Sequence, residues 1–378
     1  MECFAGQARD LFGMTWPGKV RCVTSVDPRD GEFLALEEIH AAALKNLPPD
    51  AATYLESGSG TELTLRANRE AFSRWVIRPR PMTGVTDPKT NIELLGIPLS
   101  LPILTAPFGG DALFAPDGHL AVARANAGHG IASIVPEVGS FSYEQVAAAA
   151  PAAARIGQLH PYDSFDAVAA RIKAAGYDAL CVTVDCQVVG FRARNRMVRF
   201  HPDRAVWSGN VVDDGSPNMA STFGARVVPS WTWDRLAEAT ARHAMPWIAK
   251  GILTAEAAEA ALAAGASAIL VSNHGGRQVD PSPASLDVLP EIAAAVAGQV
   301  PILLDSGVRT GADVFLALAL GASAVVIGRL AAYGLAAAGE YGVSRTIDLL
   351  AQELRILMTL AGIPDVPSLT RDSVAPRL

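Results

Sequence analysis

Residues 265–271 read Gly-Ala-Ser-Ala-Ile-Leu-Val, and residues 321–327 read Gly-Ala-Ser-Ala-Val-Val-Ile. Each stretch follows an alanine-rich segment and ends in four consecutive apolar residues. Glycine suits the left-handed position that closes a helix. A short, continuous apolar strand suits a parallel sheet that is buried on both faces. Each stretch therefore predicts the end of a helix followed by a buried strand.

The same pattern recurs earlier in the chain, at Gly128 and at Gly176. The intervals between successive glycines, from 128 to 176 and from 265 to 321, each leave room for two strand–helix units. Filling these intervals predicts eight strands: 103–106, 131–135, 154–158, 179–184, 247–249, 268–271, 302–304 and 324–327. Helices are predicted between them, for example at 255–264 and 312–320.

Alternating strands and helices predict a parallel α/β fold, and eight units predict closure into a (β/α)₈ TIM barrel. A length of 378 residues is within the range of one such barrel. A doubly wound sheet is the structural alternative. It is disfavoured because no G-x-G-x-x-G turn follows the first predicted strand.

Two regions fall outside the repeat. Residues 1–100 are predicted to form an N-terminal extension and helical cap, with helices at 36–47 and 63–72 and a hairpin at 92–101, while 101–378 form the barrel and a C-terminal tail. A long segment at 187–229, after the fourth barrel strand, is rich in Arg, Pro, Gly and Ser. Long loops inside compact domains are usually functional lids or mobile segments.

Composition excludes several classes of protein. Half of the residues are hydrophobic, 18% are charged and the net charge is −7, which argues against a disordered chain and against a general nucleic-acid binder. The four cysteines, at positions 3, 22, 181 and 186, form no C-x-x-C pair, so neither a zinc site nor a disulfide framework is indicated and a cytoplasmic location is expected. Neither a signal peptide nor a membrane span is predicted.

Polar side chains follow the predicted barrel strands, at the end where such barrels place their active sites. Glycine-rich turns after strands seven and eight, at Gly307 and Gly328, suit a phosphate cradle built from backbone N–H groups. Arg309 and Arg329 add two cations there. The alternative is that both are surface arginines in salt bridges.

Residues 272–278, after strand six, read Ser-Asn-His-Gly-Gly-Arg-Gln. A histidine can exchange a proton near neutral pH, and an arginine can hold a carboxylate with two hydrogen bonds. This heptapeptide resembles the active-site signature of the FMN-dependent 2-hydroxy-acid dehydrogenases and oxidases, which include glycolate oxidase, lactate oxidase and mandelate dehydrogenase.

The resemblance extends over most of the chain, from about residue 36 to residue 369. The other stretches that carry it are 54–59 (Tyr-Leu-Glu-Ser-Gly-Ser), 106–107 (Ala-Pro), 183–185 (Thr-Val-Asp), 190–192 (Gly-Phe-Arg), 248–251 (Ile-Ala-Lys-Gly), 305–309 (Asp-Ser-Gly-Val-Arg) and 328–329 (Gly-Arg).

The resemblance implies the following roles. His274 matches the catalytic base, and Asp185 its acidic partner, which is expected to favour the imidazolium. Arg277, Tyr54 and Arg192 match the residues that bind the substrate carboxylate. Lys250 matches the catalytic cation beside flavin N1. Further FMN contacts are implied for Ala106, Pro107, Gln158, Thr183, Lys250, Ser272, Asp305, Gly307, Arg309, Gly328 and Arg329.

Four departures from the family pattern concern the walls of the substrate site. His160 stands where the family has a second active-site tyrosine, and we expect it to contact the substrate. Pro136-Glu137-Val138 replaces a run such as Ser-Ser-Trp, Phe108 replaces a small residue, and Cys186-Gln187 replaces the usual Thr-Pro.

The resemblance implies that FMN oxidises a 2-hydroxy acid to a 2-keto acid, and we expect O₂ to reoxidise the flavin and yield hydrogen peroxide. The substrate is expected to be bulkier or more polar than glycolate. A dehydrogenase with another acceptor, a decarboxylating monooxygenase and a flavin-binding protein without this reaction remain as alternatives. Family members often form tetramers, so the resemblance implies a homo-oligomer, with neither nucleic acid nor membrane as a partner.

Overall fold

The computed structural model describes residues 33–210 and 231–377. Its centre is a closed barrel of eight parallel strands. In chain order the barrel strands are β4 (Ile103–Thr105), β5 (Ser133–Val135), β6 (Arg155–Leu159), β7 (Ala179–Thr183), β8 (Trp247–Ile252), β9 (Ala268–Val271), β10 (Ile302–Leu304) and β11 (Ala324–Ile327). β11 pairs with β4 and closes the ring. The predicted (β/α)₈ barrel is therefore confirmed.

The strands are short and apolar because they are enclosed on both faces. Every residue of β9, β10 and β11 is buried. β8 is longer than predicted, so Lys250 lies within the strand rather than after it.

Ten of the helices that the structure describes are regular elements of the barrel and its N-terminal cap. They are α1 (Leu36–Asn46), α2 (Pro49–Glu56), α3 (Leu63–Ser73), α4 (Gly118–His129), α5 (Tyr143–Ala149), α6 (Phe165–Ala174), α8 (Trp233–Ala241), α9 (Ala255–Ala263), α10 (Ser285–Val296) and α11 (Gly311–Ala319). A short helix α7 (Ala193–Met197) follows β7, and the long helical segment α12 (Arg329–Leu360) is broken at Ala338 and Gly339.

Three of the four helix-closing glycines are where the sequence predicted them. Gly176, Gly265 and Gly321 have positive φ just after α6, α9 and α11. The expectation for Gly128 was wrong. Gly128 lies inside α4, and Gly130 takes the left-handed position (φ +61°) that ends the helix. Two glycines near one helix end leave the sequence pattern ambiguous.

Residues 92–99 cover the amino ends of the barrel strands. A hairpin of β2 (Ile92–Leu94) and β3 (Ile97–Leu99) packs its apolar side chains into the barrel core. The adjoining Ser100 N–H donates to the carbonyl of Gly130, which precedes β5, so the hairpin lies at the amino ends of the strands. β1 (Trp75–Ile77) pairs with the C-terminal β12 (Val374–Pro376), an antiparallel contact that the sequence pattern did not predict.

The predicted long loop after β7 is only partly within the described residues. Up to residue 210 it contains α7 and a 3-10 turn at Arg204–Trp207. Residues 1–32 and 211–230, and any role predicted for them, lie outside the described part of the chain. Among the described residues, no helix is both long enough and apolar enough to cross a membrane.

Candidate active site

The carboxyl ends of the barrel strands surround a cavity of about 1080 Å³. It gathers predicted site residues that are as far apart in sequence as Tyr54 and Arg329. The predicted residues that line it are Tyr54, Ala106, Pro107, Gln158, His160, Thr183, Arg192, Lys250, His274, Arg277, Asp305, Gly307, Arg309, Gly328 and Arg329. Asp185 and Ser272 do not line the cavity but contact residues that do.

His274 sits on the turn after β9 with a left-handed backbone (φ +60°). Its Nδ1 atom lies 3.3 Å from both carboxylate oxygens of Asp185, and its backbone N–H donates to Ser272 Oγ over 3.1 Å. The Asp185 carboxylate therefore fixes one ring nitrogen and leaves Nε2 for a substrate.

The charge on His274 differs from the expectation based on Asp185 alone. Burial and the cation of Lys250 lower the pKa of His274 to about 4, and the opposing effect of Asp185 is smaller. Burial raises the pKa of Asp185, but His274 and Lys250 bring it below its ordinary value. At neutral pH the pair is thus a neutral imidazole beside a carboxylate, which is the state that a general base requires.

Lys250 is a buried ammonium on β8. Its Nζ atom lies 3.3 Å from Ser272 Oγ and 3.8 Å from Asp305 Oδ2. Burial lowers the pKa of Lys250, but the carboxylates of Asp305 and Asp185 outweigh this effect and raise it. Lys250 therefore holds a permanent positive charge in the cavity wall.

Arg277 is positioned to bind an anion. Its Nη1 atom donates to the carbonyls of Tyr54 (2.7 Å) and Ser57 (2.9 Å), and its guanidinium stacks on the Tyr54 ring at 4.7 Å. Its Nη2 atom is buried and finds no hydrogen-bond partner in the described part of the chain. A buried donor without a partner is costly, so this nitrogen fits an acceptor supplied by a ligand.

Further cations face the same space. Arg192 donates through Nε to the carbonyl of Arg277 (3.3 Å). Burial, followed by the charge of Arg192, lowers the pKa of Arg277 well below its ordinary value. A carboxylate bound against Arg277 would balance the charges of these two arginines.

The turns after β10 and β11 are the ones for which the sequence analysis predicts a phosphate site. Gly307 has φ +105°, and a Cβ atom there would lie 2.4 Å from the carbonyl oxygen of Asn68, so only glycine fits. Arg309 stacks over Tyr333 at 5.7 Å. Among the described residues, neither Arg309 nor Arg329 pairs with a carboxylate, which does not support the salt-bridge alternative.

Arg329 also performs a structural task that the sequence did not reveal. Its Nε, Nη1 and Nη2 atoms donate to the carbonyls of Leu55 (2.8 Å), Gly275 (2.9 Å) and Ser57 (2.9 Å). These bonds tie α2, which carries Tyr54, to the turn that carries His274. Burial and the nearby Arg309 lower the pKa of Arg329 to about 10.

These residues fit the FMN that the sequence implies. Gln158 and Thr183 contribute polar side chains to the cavity wall, and Gln158 Nε2 donates to Thr183 Oγ1 (3.0 Å). The Lys250 ammonium and the Arg309 guanidinium face the cavity and can donate to a flavin ring and to a phosphate. The cavity has room for a cofactor and a small substrate together.

The structure also reveals a contact in the site that the sequence analysis did not predict. Glu137, after β5, accepts from His160 Nδ1 at 2.7 Å and from the His160 backbone N–H at 2.9 Å. Burial lowers the pKa of His160, but hydrogen bonds with Cys186 and Glu137 raise it to about 9. His160 is therefore an imidazolium in the cavity wall. No sequence signal pairs His160 with Glu137, because the two residues follow different strands.

An aromatic cluster forms the outer wall of the cavity. Tyr54 stacks on Phe200 at 4.8 Å and meets Trp207 edge-on at 5.5 Å, and Phe114 lies 6.3 Å from Tyr54 and 5.9 Å from Phe108. Of these, only Tyr54 and Phe108 drew attention in the sequence. Phe200 and Trp207 belong to the segment after β7, whose course no periodic pattern predicts.

Comparisons with known proteins agree with this geometry. The sequence profile of the FMN-dependent dehydrogenase family matches residues 43–376. A peroxisomal (S)-2-hydroxyacid oxidase of Arabidopsis thaliana is 38% identical over 91% of this chain and 96% of its own length. An L-lactate oxidase of Nostoc sp. is 39% identical over 86% and 94%. The crystal structure of a putative lactate oxidase of Pediococcus acidilactici superposes with a TM-score of 0.86 and 35% identity, covering 92% and 96% of the two chains. The chain therefore belongs to the FMN-dependent dehydrogenase family, as its heptapeptide predicted, and FMN is its cofactor.

Proposed function

We propose that this enzyme oxidises a 2-hydroxy acid to the 2-keto acid and passes the electrons to O₂, with release of hydrogen peroxide. One observation carries the proposal: the unpaired Nη2 atom of Arg277 and the neutral imidazole of His274 face the same cavity. An anion-binding donor beside a base is the arrangement that a substrate with a carboxylate and an adjacent hydroxyl requires.

The protein's side chains have separate roles in this reaction. Arg277, assisted by Tyr54 and Arg192, binds the carboxylate and fixes the 2-carbon near His274. His274 takes a proton from the substrate at Nε2, and the Asp185 carboxylate at Nδ1 stabilises the imidazolium that forms. FMN, when bound, supplies the two-electron acceptor. The Lys250 ammonium stabilises the negative charge that develops on reduction.

We assign the substrate's side chain to the aromatic cluster of Tyr54, Phe108, Phe114, Phe200 and Trp207. Flat apolar rings stack favourably on such surfaces. Glu137 holds the Nδ1 atom of His160, and the aromatic rings supply the larger surface for a side chain, which favours a bulky apolar side chain over a polar one. The proposed substrate is thus larger than glycolate.

Anaerobic mixing with a panel of 2-hydroxy acids tests the reaction. Substrates should bleach the visible absorbance of the flavin, and bulky apolar acids should do so at the lowest concentrations. An enzyme whose flavin no 2-hydroxy acid reduces would contradict the proposal.

The fate of the electrons needs a second measurement. The oxidase names of the relatives support O₂ as the acceptor. One peroxide released per 2-keto acid is expected. A decarboxylated product without peroxide would indicate a monooxygenase, and turnover only with an added dye would indicate another acceptor.

We further propose a homo-oligomer in the cytoplasm, with neither nucleic acid nor membrane as partner. The free thiols of Cys181 and Cys186 are consistent with a reducing compartment. Light scattering of the holoenzyme tests the oligomeric state, and a monomer would contradict the proposal. Fractionation of the native cells tests the cytoplasmic location.

A further inference from the structure

Tyr333 is a buried tyrosine beside one of the two arginines that the sequence assigns to the phosphate of FMN. It is 3% exposed and lies four residues after Arg329 on α12, so the two side chains share one face of the helix. The guanidinium of Arg309 lies over the Tyr333 ring, 5.7 Å from its centre. A cation at this distance is attracted to the face of an aromatic ring. The Tyr333 ring therefore supports the Arg309 side chain.

Glu56, the last residue of α2, holds the Tyr333 ring in place. The Tyr333 hydroxyl donates a hydrogen bond to Glu56 Oε1. Burial raises the pKa of Tyr333 to about 12, so the hydroxyl is a neutral donor at neutral pH. The same Glu56 oxygen lies 3.5 Å from His40 Nε2, and the His40 ring lies 4.5 Å from the Tyr333 ring. One side chain from α1 and one from α2 thus fix the orientation of Tyr333.

The residues on either side of Glu56 hold the second of the two arginines. The carbonyls of Leu55 and Ser57 accept hydrogen bonds from Arg329 over 2.8 and 2.9 Å. Both arginines are therefore anchored to the same three residues at the end of α2. One is held by backbone oxygens, and the other is held through a side chain and an aromatic ring. The geometry of the predicted phosphate site depends on the N-terminal cap.

We propose that Glu56 and Tyr333 are positioning residues for the phosphate of FMN, on which they act through the guanidinium of Arg309. Neither of the two side chains lines the cavity. Arg309 Nη1 donates to the carbonyl of Val308 (2.8 Å), so a hydrogen bond and a ring contact together orient the guanidinium. A guanidinium that is already oriented loses less conformational entropy when it binds a phosphate. The inference concerns cofactor binding and does not depend on which substrate the enzyme oxidises.

The test compares FMN with riboflavin, which has the same ring and ribityl chain but no phosphate. The holoenzyme is equilibrated with mixtures of the two flavins, free flavin is removed, and the bound flavins are quantified by chromatography. The measured quantity is the preference for FMN over riboflavin. A variant that loosens the whole flavin site lowers both affinities and leaves this preference unchanged. A variant that misplaces Arg309 lowers the preference.

Tyr333→Phe keeps the ring but removes the hydroxyl that Glu56 holds. It should lower the preference for FMN about 5-fold, which is the typical effect of one hydrogen bond. Tyr177→Phe is the matched control, because Tyr177 is buried away from the cavity and its hydroxyl donates to the Tyr143 carbonyl (3.0 Å). The control should keep the wild-type preference. An unchanged preference in Tyr333→Phe, or an equal fall in the control, would overturn the proposal.

Two variants of Glu56 separate its hydrogen bond from its charge. Glu56→Ala should lower the preference for FMN as Tyr333→Phe does. Glu56→Gln should keep at least the wild-type preference, because its amide oxygen still accepts from the Tyr333 hydroxyl. A carboxylate that merely repelled the phosphate would have the opposite effect. A higher preference for FMN in Glu56→Ala would therefore contradict the positioning role.

A double variant shows whether Arg309 transmits the effect. Arg309→Gln should lower the preference for FMN about 10-fold or more, because it removes a charged donor to the phosphate. Adding Tyr333→Phe to Arg309→Gln should lower the preference no further, because the group that Tyr333 positions is gone. A further 5-fold fall would show that Tyr333 acts by another route. A wild-type preference in Arg309→Gln would remove Arg309 from the phosphate site, and either result would overturn the proposal.

Discussion

His160 Nδ1 lies 2.7 Å from Glu137 Oε2, and this contact joins the carboxyl ends of two neighbouring barrel strands, β5 and β6. Both side chains are buried, so the pair is shielded from water. A buried charge that loses its partner is strongly destabilising. The protonation of His160 is therefore linked to the stability of the cavity wall.

This linkage predicts a pH-dependent stability. The pKa of His160 is raised from 6.5 to about 9 in the folded state. The stability that the protonated His160 contributes should be fully present below about pH 6.5 and should be lost as the pH rises towards 9. A shift of this size corresponds to about 3 kcal/mol. The free energy of unfolding, measured in urea from pH 6 to 9.5, should fall more for wild type than for the His160→Gln/Glu137→Gln double variant. Parallel curves would contradict the linkage.

His274→Ala should bind FMN but lose most substrate-driven reduction. Removing a positioned acid–base group typically lowers the rate by about 10²–10⁴-fold. Stopped-flow reduction under anaerobic conditions measures this rate, and the flavin spectrum confirms that cofactor is retained. Reduction at the wild-type rate would show that His274 is not the base.

Arg277→Lys should raise KM for the acid by about 10-fold or more, which corresponds to about 1.4 kcal/mol. An ammonium has one nitrogen, whereas the guanidinium holds the carbonyls of Tyr54 and Ser57 with Nη1 and presents Nη2 to the carboxylate. The flavin content should be unchanged, because Arg277 is assigned to the substrate. A normal KM would remove Arg277 from the carboxylate site.

From the aromatic cluster we predict how kcat/KM differs among substrates. Wild type should give a higher kcat/KM for mandelate and larger apolar acids than for glycolate, and Phe108→Ala should lower the values for the larger acids most. His160→Tyr should alter the ranking, because it replaces a charged ring and removes the hydrogen-bond partner of Glu137. A preference for glycolate, with the same ranking in His160→Tyr, would refute the pocket assignment and leave the FMN assignment intact.

Gly307→Ala should weaken FMN retention and lower stability by about 1–3 kcal/mol. Its positive φ strains any other residue, and its new Cβ would meet Asn68 O. Gly298→Ala is the matched control, because Gly298 also has positive φ (+74°) but open space around it. Thermal unfolding and released FMN measure both variants. Equal effects would show that backbone strain alone is responsible.

The barrel and many of the residues around its cavity could be predicted from the amino-acid sequence. Continuous apolar strands after helix-closing glycines repeat along the chain, and repetition makes such a pattern dependable. Once the fold is a parallel barrel, residues after the strands must meet at one end, which is why His274, Arg277 and Arg309 could be named together.

The charges of these groups and the residues that surround them depend on the folded structure. Asp185 alone favours an imidazolium at His274, but burial and Lys250 reverse that preference. Glu137 could not be matched to His160, since contacts between side chains that follow different strands carry no sequence period. Desolvation and the distances between charges set a pKa, and both exist only after the chain has folded.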